Sequence, residues 1–299
     1  MPRSLVTGGA GFIGSNLVDA LLGIGHDVVC VDNESSDSSE KFHWNGRAEN
    51  HKVDVCDQKS MSRLFSGIEF VFHLAAEARI GNTMENPVKA FDTNVVGTAT
   101  LLECCRSNGV RRMVLSSTSA AYGKNSVPNV ESQLDDPMNP YSVSKVAAEK
   151  ACRMYSDLFG LETVVLRYFN VYGPREPTKG VYAPVIGIFK RQKAAGQPLT
   201  VVGDGLQRRD FTHVYDVAKA NILAAEASLT KKEMRGVFNI GSGSNISVLE
   251  IAQMISEKIT FLPARVGEMR ETLADNERAR SLLGWRPSFN VENYIASVA

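Results

Sequence analysis

Short unbroken apolar runs recur through the first two-thirds of the chain, at Ser4–Thr7, Asp27–Asp32, His51–Asp54, Phe70–Leu74, Arg112–Ser116 and Thr163–Tyr168. Each is β-branched or aromatic in character, which predicts a strand covered on both faces of a parallel sheet. Between them, apolar positions at helical spacing predict helices such as Gly14–Leu22, Asn94–Asn108 and Ser142–Leu158. Strand and helix alternate, so the expected class is α/β with a doubly wound parallel sheet.

Past Asn170 the pattern breaks. Glycine and proline gather around Tyr172-Gly-Pro-Arg175 and Gly203-Asp-Gly205, and helix, loop and strand mix without steady order. A smaller C-terminal α/β lobe over the carboxyl edge of the sheet is expected. Phe211–Ala227 and Val237–Ile240 have the character of the first half again. The main domain is therefore placed at 1–170 with about 211–240, and the lobe at 171–210 and 241–299.

Composition narrows the setting. The chain has 299 residues, enough for one large unit and a lobe. Lys plus Arg equals Asp plus Glu at 33 each, so no net field draws nucleic acid or an anionic membrane. No apolar run approaches the roughly 20 residues that span a bilayer. Arg3-Ser-Leu-Val-Thr-Gly8 already reads as strand and turn, so no leader peptide is expected. Cys30, Cys56, Cys104, Cys105 and Cys152 form no CxxC pair, which predicts free thiols, no metal site and a cytoplasmic location.

Thr7-Gly-Gly-Ala-Gly-Phe-Ile-Gly14 joins the first strand to the first helix, with Gly8, Gly11 and Gly14 in a GxxGxxG spacing. Glycine permits the tight turn and lets a pyrophosphate approach the backbone, and the helix amino terminus offers free N–H groups. The expected fold is thus Rossmann-type, with a dinucleotide on this turn. Asp32 ends the second strand about 20 residues on, where a carboxylate accepts from the adenosine ribose hydroxyls and repels a 2′-phosphate. Asn33 and Glu34 follow it, with no arginine, which favours NAD over NADP. Asp54-Val55 at the third strand end suits the adenine edge, and Leu74-Ala-Ala76 leaves room for the cofactor backbone. His73 is expected to be packed rather than catalytic.

Tyr141 and Lys145 stand four apart on a predicted helix, hence on one face. A cation there favours the phenolate and makes a group with a reference pKa near ~10 usable as a base. Ser116-Ser-Thr118 ends the preceding strand and brings hydroxyls to the same sheet edge.

The segments TGGAGFIG, VDN, DV, HLAA, SSTSAAYG, YSVSK, RYFNVYGPR, GDGLQRRDF, FNIGSG and RVGEMRETLAD, in this order, resemble the extended short-chain dehydrogenase/reductases, and within them the UDP-sugar 4-epimerases. That resemblance spans nearly the whole chain. It implies Tyr141 as acid/base, Lys145 as its partner and Thr118 as the hydroxyl that orients the reacting oxygen. It implies a cofactor lining that adds Phe12, Ile13, Ser116 and Tyr168 to the residues above. Asn94 is implied near the cofactor, while its own sequence context suits a helix cap equally well. Asn170, Arg209 and Arg265 are implied at the diphosphate, with Arg208 a register rival of Arg209, and Thr272 at the sugar, where a small residue leaves space for a 2-acetamido group. Dehydratases and decarboxylases that share this scaffold carry a glutamate after the strand-end threonine. Here the run is Thr118-Ser119-Ala120. The implied activity is NAD-dependent 4-epimerisation of a UDP-hexose through a transient 4-keto sugar. The alternatives are a dehydratase, decarboxylase or reductase on the same scaffold, or a non-catalytic dinucleotide sensor. A homodimer through helices Asn94–Asn108 and Ser142–Leu158 is also implied, because Val95, Val96, Ala99, Leu101, Leu102, Cys104 and Cys105 fill more than one helical stripe.

Overall fold

The computed structural model describes residues 1–36, 41–178, 183–264 and 269–298. Strands β1 (Arg3–Thr7), β2 (Asp27–Asp32), β3 (Glu49–Lys52), β4 (Phe70–His73), β5 (Arg112–Thr118) and β6 (Glu162–Tyr168) come first. The short strands β7 (Val171–Tyr172), β8 (Leu199–Val202), β9 (Arg208–Arg209), β10 (Thr212–His213), β11 (Val237–Ile240), β12 (Ile246–Ser247) and β13 (Ile259–Leu262) follow. One seven-stranded parallel sheet runs in the order β11-β6-β5-β4-β1-β2-β3. The winding reverses between β1 and β4, so a crevice opens there at the carboxyl ends of the strands.

Helices α1 (Phe12–Gly23), α2 (Gln58–Ser62), α3 (Ile80–Glu85), α4 (Pro87–Phe91), α5 (Gly97–Ser107) and α6 (Pro140–Phe159) belong to the first half. Helices α7 (Val185–Ala194), α8 (Val214–Glu226), α9 (Lys231–Met234), α10 (Val248–Ile255), α11 (Glu277–Leu283) and α12 (Val291–Val298) belong to the second. On one face of the sheet, Leu17 and Leu21 of α1 and Ala220 of α8 meet Val6, Val28, Phe72 and Val114. On the other, Met61, Leu101, Leu102 and Ala148 meet Leu5, Val29, Val71 and Leu115. Neighbours along one strand thus enter opposite cores, which is why the runs are apolar at every position. A third core joins Ile186 and Phe189 of α7 to Val201, Ile251 and Ile295 in the lobe.

Two elements depart from the sequence reading. The third strand is Glu49–Lys52 rather than His51–Asp54, and its side chains are largely exposed. It is the sheet's edge, with β2 as its one neighbour, so apolar content was a poor guide to it. The helix expected at Asn94–Asn108 begins earlier, as α4, and passes through a π-turn at Asp92–Val96 before α5. The chain also returns: α8 packs on α1, and β11 pairs with β6 at the sheet's other edge. Among the described residues no helix is long and apolar enough to cross a membrane.

Candidate active site

A cavity of about 1350 Å³ runs from the glycine turn, past the carboxyl ends of β4 and β5, into the lobe. At its first end Gly8 adopts φ +66°, and a Cβ there would stand 2.7 Å from Ala75 N. A Cβ on Gly14 would stand 2.1 Å from Gly8 O. Both positions therefore require glycine on steric grounds. Gly11 caps α1 with no side chain, so the first-turn amides of Phe12, Ile13 and Gly14 are left for a ligand's phosphates. Asp32 is buried and accepts from Ala10 N at 3.2 Å and Glu34 N at 2.8 Å. Burial raises its carboxyl pKa, while those amides favour the anion. An uncapped helix end, a cradle that a Cβ would fill and a carboxylate at the second strand end together fit NAD.

Asn33, Val55, Leu74, Ala75 and Ala76 line the same end. Asp54 and Asn94 are not among the lining residues. Asp54 instead holds Asn33 Nδ2 at 2.9 Å and accepts from Cys56 N at 2.8 Å, so it orients its neighbour. Asn94 is 1% exposed and sits in the π-turn. It accepts from Glu77 N at 2.8 Å, and donates to Glu77 O at 3.1 Å and Ser144 Oγ at 2.9 Å. It staples the loop after β4 to α6 and is not a helix cap. His73 is fully buried between Thr7 and Thr98, and burial together with the nearby Lys145 cation pulls it down to about 3.

At the centre stand Thr118, Tyr141 and Lys145, all in the cavity wall. Helix α6 starts from a capping box between Asn139 and Ser142 with Pro140 in its first turn, which fixes Tyr141 at the helix mouth. Ser116 is held by Tyr168 OH at 2.7 Å, and that hydroxyl by Asn221. Burial raises the Tyr141 pKa, opposed by its hydrogen bond with Thr118 and by the cation of Arg79. The sequence reading assigned that opposition to Lys145. Arg79 follows HLAA without a motif of its own, and only the third dimension brings it to the tyrosine. Lys145 is buried, which draws its ammonium down to about 8.

The second end belongs to the lobe. Asn170, Arg209 and Thr272 line it, joined by Arg191 and Gln207, which the sequence did not single out. Arg208 is turned away, to Asn245 Oδ1 at 2.8 Å and Glu250 at 3.3 Å, and Arg209 is the one of the pair that lines the cavity. Asp210, fully buried, accepts from Ser242 N, Ser242 Oγ, Gly243 N and Ala274 N at 2.7–3.0 Å. That one carboxylate ties the Arg209 strand to the two loops around it. Thr272 Oγ1 accepts from Asn170 Nδ2 and Asp210 N, both at 3.2 Å. Arg265 lies outside the described residues.

Comparison with known proteins follows the same line. The model of the NAD dependent epimerase/dehydratase family matches residues 4–241. A putative UDP-glucose 4-epimerase of Methanocaldococcus jannaschii is 38% identical, over 98% of this chain and 96% of its own length. The structure of UDP-glucose 4-epimerase from Thermotoga maritima with UDP-glucose superposes with a TM-score of 0.91 at 36% identity, covering 98% of this chain and 96% of that one. UDP-N-acetylglucosamine 4-epimerase from Methanobrevibacter ruminantium, in complex with UDP-N-acetylmuramic acid, gives 0.92 at 32% identity, covering 99% and 96%.

Gly14→Ala tests the cradle. The added methyl must push α1 away from Gly8 O, so the purified variant is expected to stay folded and lose its bound dinucleotide. Absorbance and mass analysis of the denatured protein read this directly, and an unchanged NAD content would refute it.

Proposed function

Since the chain belongs to the NAD dependent epimerase/dehydratase family, we propose that it is a nucleotide-sugar 4-epimerase, interconverting UDP-hexoses at carbon 4. The observation that carries this reading is one cavity holding a dinucleotide cradle, the Thr118–Tyr141 pair and the Asn170–Arg209–Thr272 lobe in sequence. When bound, NAD supplies the acceptor and then the donor of the hydride at carbon 4. Tyr141 takes the proton of the 4-hydroxyl and later returns it, with Thr118 orienting that oxygen. The Arg79 cation favours the phenolate, and Lys145 adds a positive charge on the same helix face. Ala120 adds no ionisable group beside Thr118, so nothing there assists loss of water or of a carboxylate. Once turned in the site, the 4-keto sugar would present its other face for return of the hydride, so that the net reaction would consume no cofactor. Arg209 meets the diphosphate from the lobe made by 171–210 and 241–299, with Arg265 of the same lobe, and Asn170 meets it from the end of the main domain. The main domain, 1–170 with about 211–240, holds the cofactor. Unpaired cysteines suit a cytoplasmic setting.

The test is incubation with UDP-glucose, UDP-galactose, their N-acetyl forms and UDP-glucuronate, without added dinucleotide. Epimers are expected in at least one pair. Tyr141→Phe should lower kcat by ~10²–10⁴-fold with NAD content retained. A strict need for added NADPH, or near-normal activity of Tyr141→Phe, would overturn the reading.

Thr272 leaves room at the sugar, so the N-acetylhexosamine pair is expected among the substrates. Thr272→Tyr should cut kcat/KM for the N-acetyl pair more than for the plain pair, because a ring in a packed pocket overlaps the acetamido group. Thr272→Val removes only the acceptor that serves Asn170 and Asp210, and should affect both pairs alike. Equal effects from Thr272→Tyr would remove this residue from sugar selection.

The protein is also proposed to be a homodimer. The helical stripes differ from the sequence reading: Leu101, Leu102, Cys104 and Cys105 are buried within the subunit. The apolar surface left over is Met84, Val88 and Val96 with Met154, Leu158 and Phe159, each more than 40% exposed. Light scattering at micromolar concentration is expected to give twice the chain mass, and Val88→Glu with Leu158→Glu to halve it. A monomeric wild type would refute the assignment.

A further inference from the structure

Tyr141, Lys145 and Glu149 are spaced by four residues along α6 and so share one face. Lys145 is 2% exposed and Glu149 4%. A carboxylate so far from water needs strong partners, and Glu149 has them. Its Oε1 accepts from Ser117 Oγ at 2.5 Å and Arg167 Nε at 2.9 Å, and its Oε2 accepts from Arg167 Nη2 at 2.6 Å. Arg167 also reaches Asp135 at 2.5 Å and lies over the Tyr122 ring at 4.6 Å. Asp135 in turn meets Lys150 at the surface. Ser117 immediately precedes Thr118 on β5, so the same carboxylate grips the strand that presents the substrate-facing hydroxyl. Behind the site stand two carboxylates, Glu149 and Asp135, and one guanidinium. Of these, Glu149 and Arg167 are buried, whereas Asp135 is partly exposed and is answered by Lys150 as well, so Glu149 is the buried carboxylate on the Lys145 face of α6.

We propose that Glu149 is a positioning residue for the reaction: clamped by Arg167 and Ser117 one helical turn beyond Lys145, it supplies the counter-charge that keeps the Lys145 ammonium charged beside Tyr141. The inference rests on the reading of Tyr141 and Lys145 given above. Burial draws Lys145 down to about 8, and Glu149 is the main influence opposing that fall, with Cys152 a lesser one. The other groups around Lys145 do not take over this part. His73 on β4 is neutral, pulled down to about 3. The Cys152 thiol on α6 is pushed up to about 12 and stays protonated. Arg167 on β6 is a cation engaged with Glu149 and Asp135, and the Arg79 cation acts on Tyr141, whose pKa it lowers. A lysine is charged below its pKa and neutral above it. Loss of the Glu149 charge therefore moves the change toward acid, and Lys145 becomes neutral at a pH where the native protein still holds it charged.

The experiment is an NMR titration of the Lys145 Nζ in lysine-labelled protein with its bound NAD, the signal assigned with Lys145→Met. The native midpoint is expected near 8. Glu149→Gln keeps the shape of the side chain and should lower the midpoint by about one unit or more, the range for loss of a nearby opposite charge. Glu149→Asp keeps a carboxylate for Arg167 but withdraws it by one methylene, and should lower the midpoint by less. Ser117→Ala removes a hydrogen bond and no charge, and should leave the midpoint in place. The alkaline limb of the kcat profile should follow each midpoint, whereas a merely structural role would lower kcat at every pH alike. A native midpoint in both Glu149 variants overturns the proposal, and Glu149→Asp carries the test if Glu149→Gln does not fold. A fallen midpoint in a protein that epimerises none of the sugars would sink the functional reading and leave the charge coupling standing. Turnover with an unmoved midpoint would do the reverse.

Discussion

Two approaches of backbone to backbone set where the rest of the site can be. Gly14 lies against Gly8, and Gly8 against the turn at Leu74 and Ala75, each too closely for a side chain. The first contact seats α1 over the end of β1. The second brings β4 beside it at the point where the sheet's winding reverses. With those in place, the uncapped amides of α1, the hydroxyls at the end of β5 and the mouth of α6 face one crevice. The parallel sheet keeps this arrangement rigid because both of its faces are sealed by independent cores.

The lobe is organised on a different principle. Its core is small, and its strands are mostly two-residue pairs. Order near the ligand comes instead from polar groups that gather several segments at once. Asp210 gathers the loops at Ser242–Gly243 and Ala274, and Thr272 adds Asn170 to the same cluster. Asp216 does similar work farther out, accepting from Ser288 N and Phe289 N while its backbone carbonyl takes the Trp285 indole. Such buried carboxylates are stable only when hydrogen-bond donors answer them. The segments they join must therefore arrive together.

Much of the main domain was legible in the sequence because its signals are local. An apolar run, a glycine spacing and a four-residue interval each depend on neighbours in the chain, and β1, β2, β5, α1 and α6 appear within a few residues of their expected places. What escaped depends on contacts between distant segments. β3 is polar because an edge strand has little to bury. The π-turn at Asp92–Val96 follows from a demand that no periodicity records, the turning inward of Asn94 to hold Glu77 and Ser144. Arg79, Arg191 and Gln207 were not singled out in the sequence, and only the folded chain carries them into the cavity wall. The choice between Arg208 and Arg209 needed one more fact, that Asn245 lies within reach of the first.

The row of hydroxyls and ring atoms around His73 has a direction. Thr98 Oγ1 gives its hydrogen to Asn94 O at 2.6 Å, so it can only accept from His73 Nε2. His73 Nδ1 is then bare and accepts from Thr7 Oγ1, which itself accepts from Ala75 N. The tautomer protonated at Nε2 satisfies every member, whereas the other sets a bare Nε2 against the Thr98 oxygen. His73 therefore acts as a polarity adaptor between the π-turn and the glycine turn. An apolar ring of the same size would leave the Thr7 hydroxyl hydrogen without its acceptor and take one donor from Thr98.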